Sequence, residues 1–243
     1  MKSFVYAFVF SLFLFTACGG DDDNPDPDTV ANISGSVLLF TEGNALASTN
    51  SGMKVSVEGL GSQFSVLTDA TGKFVLENVP FGTYTLVYEK EGYGTFKRPA
   101  VEHKVGGTVL TDIPSLGQLS TTKVTDFKAN PSGLSVQVIA TTDPGGNTGN
   151  RRYVRFFFST QSSVSSTNYQ VFSGTFISQE NPFGRVFTGA ELAALGLAPG
   201  TLVFIRAYGD SVFSNSYVDP VTNKTVFPNL NPTSAPAVSV RIP

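Results

Sequence analysis

The feature that most limits how this chain can fold is a strict apolar–polar alternation, interrupted at short intervals by turn residues. Phe74 and Leu76 alternate with Lys73, Val75 and Glu77. Tyr84, Leu86 and Tyr88 alternate with Thr83, Thr85, Val87 and Glu89. A period of two is the side-chain period of a half-buried strand. Asp69-Ala70-Thr71-Gly72 precedes the first run, and Asn78-Val79-Pro80-Phe81-Gly82 separates the two. Asp69 can accept from its own backbone two residues on, and Gly72 can adopt the positive φ that closes a hairpin. Residues 33–40, 53–57, 95–101 and 108–113 read as further strands. About seven short strands without a helix predict an antiparallel sandwich over 32–116.

After Pro114-Ser115-Leu116-Gly117-Gln118 the pattern restarts, which predicts a second sandwich over 119–243. Its expected strands are 122–129, 134–141, 153–159, 168–177, 185–188, 202–208 and 237–242. In 153–159, Val154, Phe156 and Phe158 share one face, and Tyr153, Arg155 and Phe157 the other. Residues 189–195 are the one helical candidate. Two long loops, 143–150 and 214–233, are rich in Gly, Asn or Pro. They are the expected places for recognition, because loops on a rigid scaffold carry most binding residues.

The N-terminus is different. Residues 4–15 are apolar except for Ser11, and Lys2 precedes them. A helix of that length rises about 18 Å, against a hydrocarbon core of about 30 Å. It reads as a secretory signal over 1–17. The single cysteine, Cys18, follows Ala17, so no internal disulfide is available to an exported chain and two hydrophobic cores must suffice. Residues 18–31 contain Asp21, Asp22, Asp23, Asp26 and Asp28 and no apolar pattern, which predicts a flexible acidic tether. Those aspartates account for the net charge of −3, and the rest of the body is close to neutral. With no basic stripe, nucleic acid is not an expected partner.

Phe15-Thr16-Ala17-Cys18 resembles the lipobox of bacterial lipoproteins, with Phe15 where leucine is usual. The resemblance implies cleavage between Ala17 and Cys18 and a diacylglycerol on the Cys18 thiol. Two or three acyl chains hold a protein stably on a membrane. Acidic residues soon after the cysteine are similar to the surface-export signal of some Gram-negative lipoproteins. They imply an outer-membrane protein exposed at the cell surface. Asp28-Thr29-Val30 and Asp210-Ser211-Val212 are similar to a short O-glycosylation acceptor pattern, making Thr29 and Ser211 candidate acceptors.

The runs I-S-G-S-V, T-D-A-T-G-K-F-V-L-E-N-V-P-F-G-T-Y-T-L and E-G-Y resemble the carboxypeptidase regulatory-like domain, a transthyretin-like sandwich. The matching positions Phe74, Leu76, Val79, Pro80, Gly82, Tyr84 and Leu86 imply a fold and no chemistry. The run L-A-P-G-T-L-V-F-I-R-A-Y at 197–208 resembles the entry to the sixth strand of fibronectin type III and immunoglobulin-like sandwiches.

A zinc peptidase needs three protein ligands, usually including two histidines, and this chain has one, His103. In Glu102-His103-Lys104 it reads as a solvated strand residue. Asp69 reads as a turn residue, since the oxygen cluster of a calcium site is missing around it. Gly59-Leu60-Gly61 follows a strand but opens no helix, so it is a turn and not a phosphate loop. No cofactor or metal is expected, and the chain does not read as an enzyme. For stacking on a sugar, Tyr169 and Tyr217 lie in loop-rich surroundings and are the surface candidates. Arg151-Arg152 reads as a solvated strand start. The sequence therefore predicts a membrane-anchored, non-enzymatic binding or scaffold module for a surface protein or glycan. The alternatives are a fibre or adhesin subunit, an accessory glycan-binding protein or an enzyme. The fibre alternative rests on a resemblance to some pilus subunits, lipoproteins of two transthyretin-like sandwiches that polymerise by strand exchange after proteolysis, often at arginine; the first arginine here, Arg98, lies past the expected first strand and counts against an arginine-directed version.

Overall fold

A computed structural model describes residues 29–243. Ala17, Cys18 and the tether as far as Asp28 lie outside the described residues. The described chain is almost entirely strand, with one short helix.

The first sandwich contains β1 (Val30–Ser36), β2 (Leu38–Phe40), β3 (Lys54–Val57), β4 (Ser65–Leu67), β5 (Lys73–Pro80), β6 (Gly82–Glu89), β7 (Phe96–His103), β8 (Thr108–Val109) and β9 (Ser115–Gly117). One sheet runs β4-β3-β6-β7 and the other β5-β1-β8, with β2 and β9 paired in parallel alongside. Val30 and Ala31, expected in the tether, instead pair with Pro80 and Val79 as the start of β1. The alternation of β5 is realised as expected, with Phe74 and Leu76 buried and Lys73, Val75 and Glu77 exposed. Asp69 Oδ1 accepts from the N–H groups of Thr71 and Lys73 and from the Thr71 hydroxyl. These bonds hold its carboxyl below the usual aspartate range, the Thr71 hydroxyl being the largest cause. Gly72 has φ +89°, and a Cβ there would stand 2.1 Å from the Val37 carbonyl, so both conformation and space require glycine. Ile33, Leu39, Met53, Val55, Leu86 and Tyr88 are fully enclosed between the sheets.

The second sandwich contains β10 (Lys123–Ser132), β11 (Ser135–Asp143), β12 (Arg152–Ser159), β13 (Val171–Phe172), β14 (Phe176–Ser178), β15 (Phe183–Phe187), α1 (Gly189–Ala194), β16 (Leu202–Asp210), β17 (Tyr217–Val218), β18 (Thr225–Val226) and β19 (Val238–Arg241). Its sheets are β10-β11-β15 and β13-β12-β16-β19, with β14 also on β12. Val136, Val138, Ala140, Val154, Phe156, Phe158, Val203 and Ile205 fill the space between them. Phe127, Phe176 and Phe187 ring Phe156 at centroid distances of 5.7, 5.8 and 5.5 Å. Thr188 caps α1, and its hydroxyl and the Glu191 carboxylate bond each other's backbone N–H.

β12 is covered on both sides, since Val154 to Ser159 are all buried. The outer face of β12 and β16 carries its own apolar cluster of Phe157, Val164, Tyr208, Phe227 and Leu230. The long loop 214–233 pairs only at β17 and β18. Its remainder returns over this face, burying Phe227, Asn229, Leu230 and Asn231.

Candidate binding site at the junction of the two sandwiches

The turn after β2 is tight: the Thr41 N–H donates to the Ala45 carbonyl, and the Ala45 N–H to Thr41 Oγ1. That turn drives Glu42 into the second sandwich. Its carboxylate accepts the hydroxyls of Ser120 (2.8 Å), Thr121 (2.6 Å) and Thr122 (3.1 Å). Arg152 Nη1 lies 3.6 Å from Glu42 Oε2. The two side chains are only 14% and 12% exposed, so this is a largely desolvated pair. The segments before β17 and after β18 fasten the other side. Asn215 bonds both the Gly117 N–H and the Ser115 carbonyl, and Asn229 donates to Gly117 and Gln118. Phe40 packs on Phe213 at 4.5 Å, and Phe96 meets Tyr217 edge-on. A Cβ on Gly94 would fall 2.1 Å from the Pro228 carbonyl, so the two backbones touch there. The loop 214–233, expected to recognise a ligand, is thus largely a clasp.

The other expected recognition loop meets the β2 turn. Asn147 Oδ1 accepts from the N–H groups of Gly149 and Asn150, and Asn147 and Asn150 exchange backbone bonds. Asn181 pins the loop's root by bonding both the N–H and the carbonyl of Thr142. Together the two loops enclose an open cleft of about 470 Å³, lined by Gly43, Asn44, Thr148, Gly149, Asn150, Arg151 and Tyr153. The side chains of Asn44, Thr148, Asn150, Arg151 and Tyr153 make no hydrogen bond among the described residues. No ring or cation stacks on Tyr153 among them either. Arg151 has no carboxylate within salt-bridge reach among the described residues. These are unspent donors, acceptors and an aromatic face on a fixed frame.

Two other depressions differ. The one along β3 and β7 is crossed by the Lys97–Glu58 ion pair, which satisfies its charges internally. The one beside β18 is walled by Tyr169, but that ring is already committed. Tyr169 donates to the Thr225 carbonyl, lies against Phe157, Phe172 and Phe227, and carries Lys224 at 5.7 Å. Burial raises the phenol pKa of Tyr169 and of Tyr217. Both sequence-predicted surface tyrosines therefore serve packing, and Tyr153, assigned by alternation to a plain strand face, is the one in the cleft.

Two further expectations are corrected. His103 is 1% exposed, not solvated. Its Nε2 bonds the Val79 carbonyl at 3.1 Å, its Nδ1 pairs with Thr108 Oγ1 at 2.9 Å, and Phe81 covers the ring. Ser211 is fully buried and donates its hydroxyl to the Phe213 carbonyl, so the folded chain does not present it as a glycosylation acceptor. Thr29 is exposed. Arg155, on the same face of β12 as Tyr153 and Phe157, is buried with Asp210. Its Nε lies 2.8 Å from Asp210 Oδ2, its other nitrogens reach Ser173, Thr175 and Ser214, and Phe227 lies 4.3 Å below. Asp210 in turn accepts from Ser211, Thr175 and Ser214, so the pair is spent on structure. Among the described residues no group of three or more His, Cys, Asp or Glu side chains could hold a metal ion.

The family model of the carboxypeptidase regulatory-like domain matches residues 32–114. That span is the first sandwich up to the start of β9. No curated protein matches the chain. Among solved structures, a putative carbohydrate binding protein from Bacteroides uniformis is 16% identical, covering 89% of this chain and 100% of its own, with a TM-score of 0.33. A DUF3823 family protein from the same species is 13% identical over 88% of this chain and 100% of its own, at 0.29. Chicken CNTN1 domains FN1–FN3 are 10% identical over 88% of this chain and 63% of theirs, at 0.30. None of these likenesses bears on what the cleft holds.

Proposed function

We propose that the protein is a non-enzymatic binding module, anchored through a lipid on Cys18 to the outer membrane and displayed at the cell surface, that recognises its ligand in the junction cleft. The observation carrying the recognition site is the set of unspent polar side chains around Tyr153, on two loops that a desolvated junction holds together. A preformed site avoids much of the ordering cost of binding. The non-catalytic reading is supported by the engagement of the sole histidine and of the Arg155–Asp210 pair in structural contacts. The anchor is supported by the lipobox-like Phe15-Thr16-Ala17-Cys18. Among the described residues no helix is long and apolar enough to cross a membrane.

Two measurements test the proposal. Cells fed an alkyne fatty acid should label the wild-type protein and not Cys18→Ser, and protease should shave the labelled protein from intact cells. The purified full chain, screened on immobilised glycans and surface polymers, should bind at least one in a manner lost in Asn150→Ala/Arg151→Ala. A ligand whose binding is indifferent to that double substitution would place recognition elsewhere.

A further inference from the structure

The chemistry of the cleft lining narrows the ligand. Resting on the reading that this cleft is the recognition site, we infer that it takes an oligosaccharide bearing an anionic substituent, a carboxylate or a sulfate. A sugar ring presents an apolar C–H face and a rim of closely spaced hydroxyls. Tyr153 offers the flat surface that such a face covers, with no other ring or cation already on it among the described residues. Asn44 and Asn150 line the same cleft, and each side-chain amide donates and accepts, as adjacent hydroxyls require. Gly43 and Gly149 leave the backbone bare where a ring would approach.

The anionic part follows from charge. Arg151 is the only charged side chain lining the cleft, and no Asp or Glu lines it. Its neighbour Arg152 is already opposed by Glu42, so that pair contributes little net charge beneath the site. A lone exposed guanidinium, with no carboxylate in reach among the described residues, matches an anionic oxygen group in charge and in planar fork geometry. A neutral sugar would leave that charge unused. The Asn147-centred bonds that fix the loop hold the Arg151 backbone in place before any ligand arrives.

The probes are an oligogalacturonate, the same oligomer with its carboxyls reduced to alcohols, and a chondroitin sulfate oligosaccharide of similar length. Binding to the full chain would be followed by calorimetry at low and at high salt. At low salt, at least one acidic oligomer should bind about tenfold or more tighter than the reduced one. The preference should shrink as salt rises. Arg151→Ala should abolish the preference while leaving the weak affinity for the reduced oligomer, and Arg151→Lys should keep part of it. Tyr153→Leu should weaken all three oligomers, and its circular dichroism should match wild type. The relative strength of the two acidic probes separates carboxylate from sulfate recognition. Equal affinity for acidic and reduced oligomers, or binding of none of the three, would overturn the anionic assignment. In either case a different ligand, lost with Asn150→Ala/Arg151→Ala, would leave the cleft as the recognition site. Acidic oligomers bound equally well by all cleft variants would reject the cleft itself.

Discussion

Glu42→Ala isolates what holds the two sandwiches together. The wild-type carboxylate accepts hydrogen bonds from Ser120, Thr121 and Thr122 and faces Arg152 at 3.6 Å. Truncation removes the acceptor and leaves the guanidinium, 12% exposed and with an unpartnered buried Nε, without its counter-charge. Breaking a buried pair from one side typically costs about 3–5 kcal/mol. The 3.6 Å separation is longer than a direct charged hydrogen bond, which argues for the low end, about 3 kcal/mol. For a chain of this size that corresponds to a fall in Tm of roughly 6–12 °C.

The assay is urea denaturation followed by far-ultraviolet dichroism, with Glu42→Ala, Arg152→Met and the double variant forming a cycle. Glu42→Ala/Arg152→Met should recover part of the loss, because no charge is then stranded. Glu42→Gln keeps an acceptor for Ser120 and Thr122 and should cost less than Glu42→Ala. If Glu42→Ala costs under about 1 kcal/mol and the double variant is additive, the junction is a solvated contact, and its proposed rigidity fails with it.

Four other perturbations check separate parts of the structure. Gly94→Ala places a Cβ 2.1 Å from the Pro228 carbonyl and should split one unfolding transition into two, whereas a single transition at the wild-type midpoint would mean the clasp yields freely. Phe157→Ala should cost about 3–5 kcal/mol in chemical denaturation, since Phe157 is fully buried in the outer cluster; a cost near zero would mean that face is solvated. Burial pushes the Tyr88 phenol up to about 12, so its folded pKa lies above its unfolded one; stability should therefore fall as pH rises from about 10 towards 12, and Tyr88→Phe should flatten that decline. Hydrogen bonds from Thr188 and the Arg185 charge hold Glu191 below the usual glutamate range, so its contribution is present at neutral pH and lost as pH falls below about 4; Glu191→Gln should be less stable than wild type at pH 7, with the gap closing in acid.

What the sequence made legible was local. The Asp69–Gly72 turn and the short helix after Thr188 rest on bonds between residues a few positions apart, and the alternation of β5 is written in consecutive residues. Cores with period two were readable for the same reason. His103 is instructive, because its neighbours Glu102 and Lys104 suggested solvent, whereas the alternation Val101 buried, Glu102 exposed, His103 buried was the better signal. Composition of the immediate segment outweighed period, and period was right. The double burial of β12 was not readable, since its cover comes from residues 164 and 227–230, beyond any local window. Nor was the clasp, whose bonds join Asn215 to Ser115 and Asn229 to Gly117, about a hundred residues apart. Tyr153 was passed over because alternation says which side of a strand a residue takes, not what that side faces.

The lock and the site are adjacent in sequence on both sides of the junction. Glu42, which enters the second sandwich, is followed by Gly43 and Asn44, which line the cleft. Arg152, which meets Glu42, stands between Arg151 and Tyr153, which also line it. At the start of β12 this follows from strand alternation, which turns Arg151 and Tyr153 away from the side Arg152 takes; at Glu42 it follows from the turn, in which Asn44 has φ +77°. The pair that desolvates the junction thus fixes the spacing of the two loops that would hold a ligand. Loosening it should weaken binding by a route other than contact. Glu42→Ala/Arg152→Met, which removes the two opposed charges together and no side chain that lines the cleft, should raise the ligand's Kd while leaving its dependence on salt unchanged, because Arg151 is untouched. Arg151→Ala should do the reverse and flatten the salt dependence. If that double variant flattened the salt dependence as Arg151→Ala does, the pair would be acting on the ligand through its charge, and the separation of lock from site would be wrong.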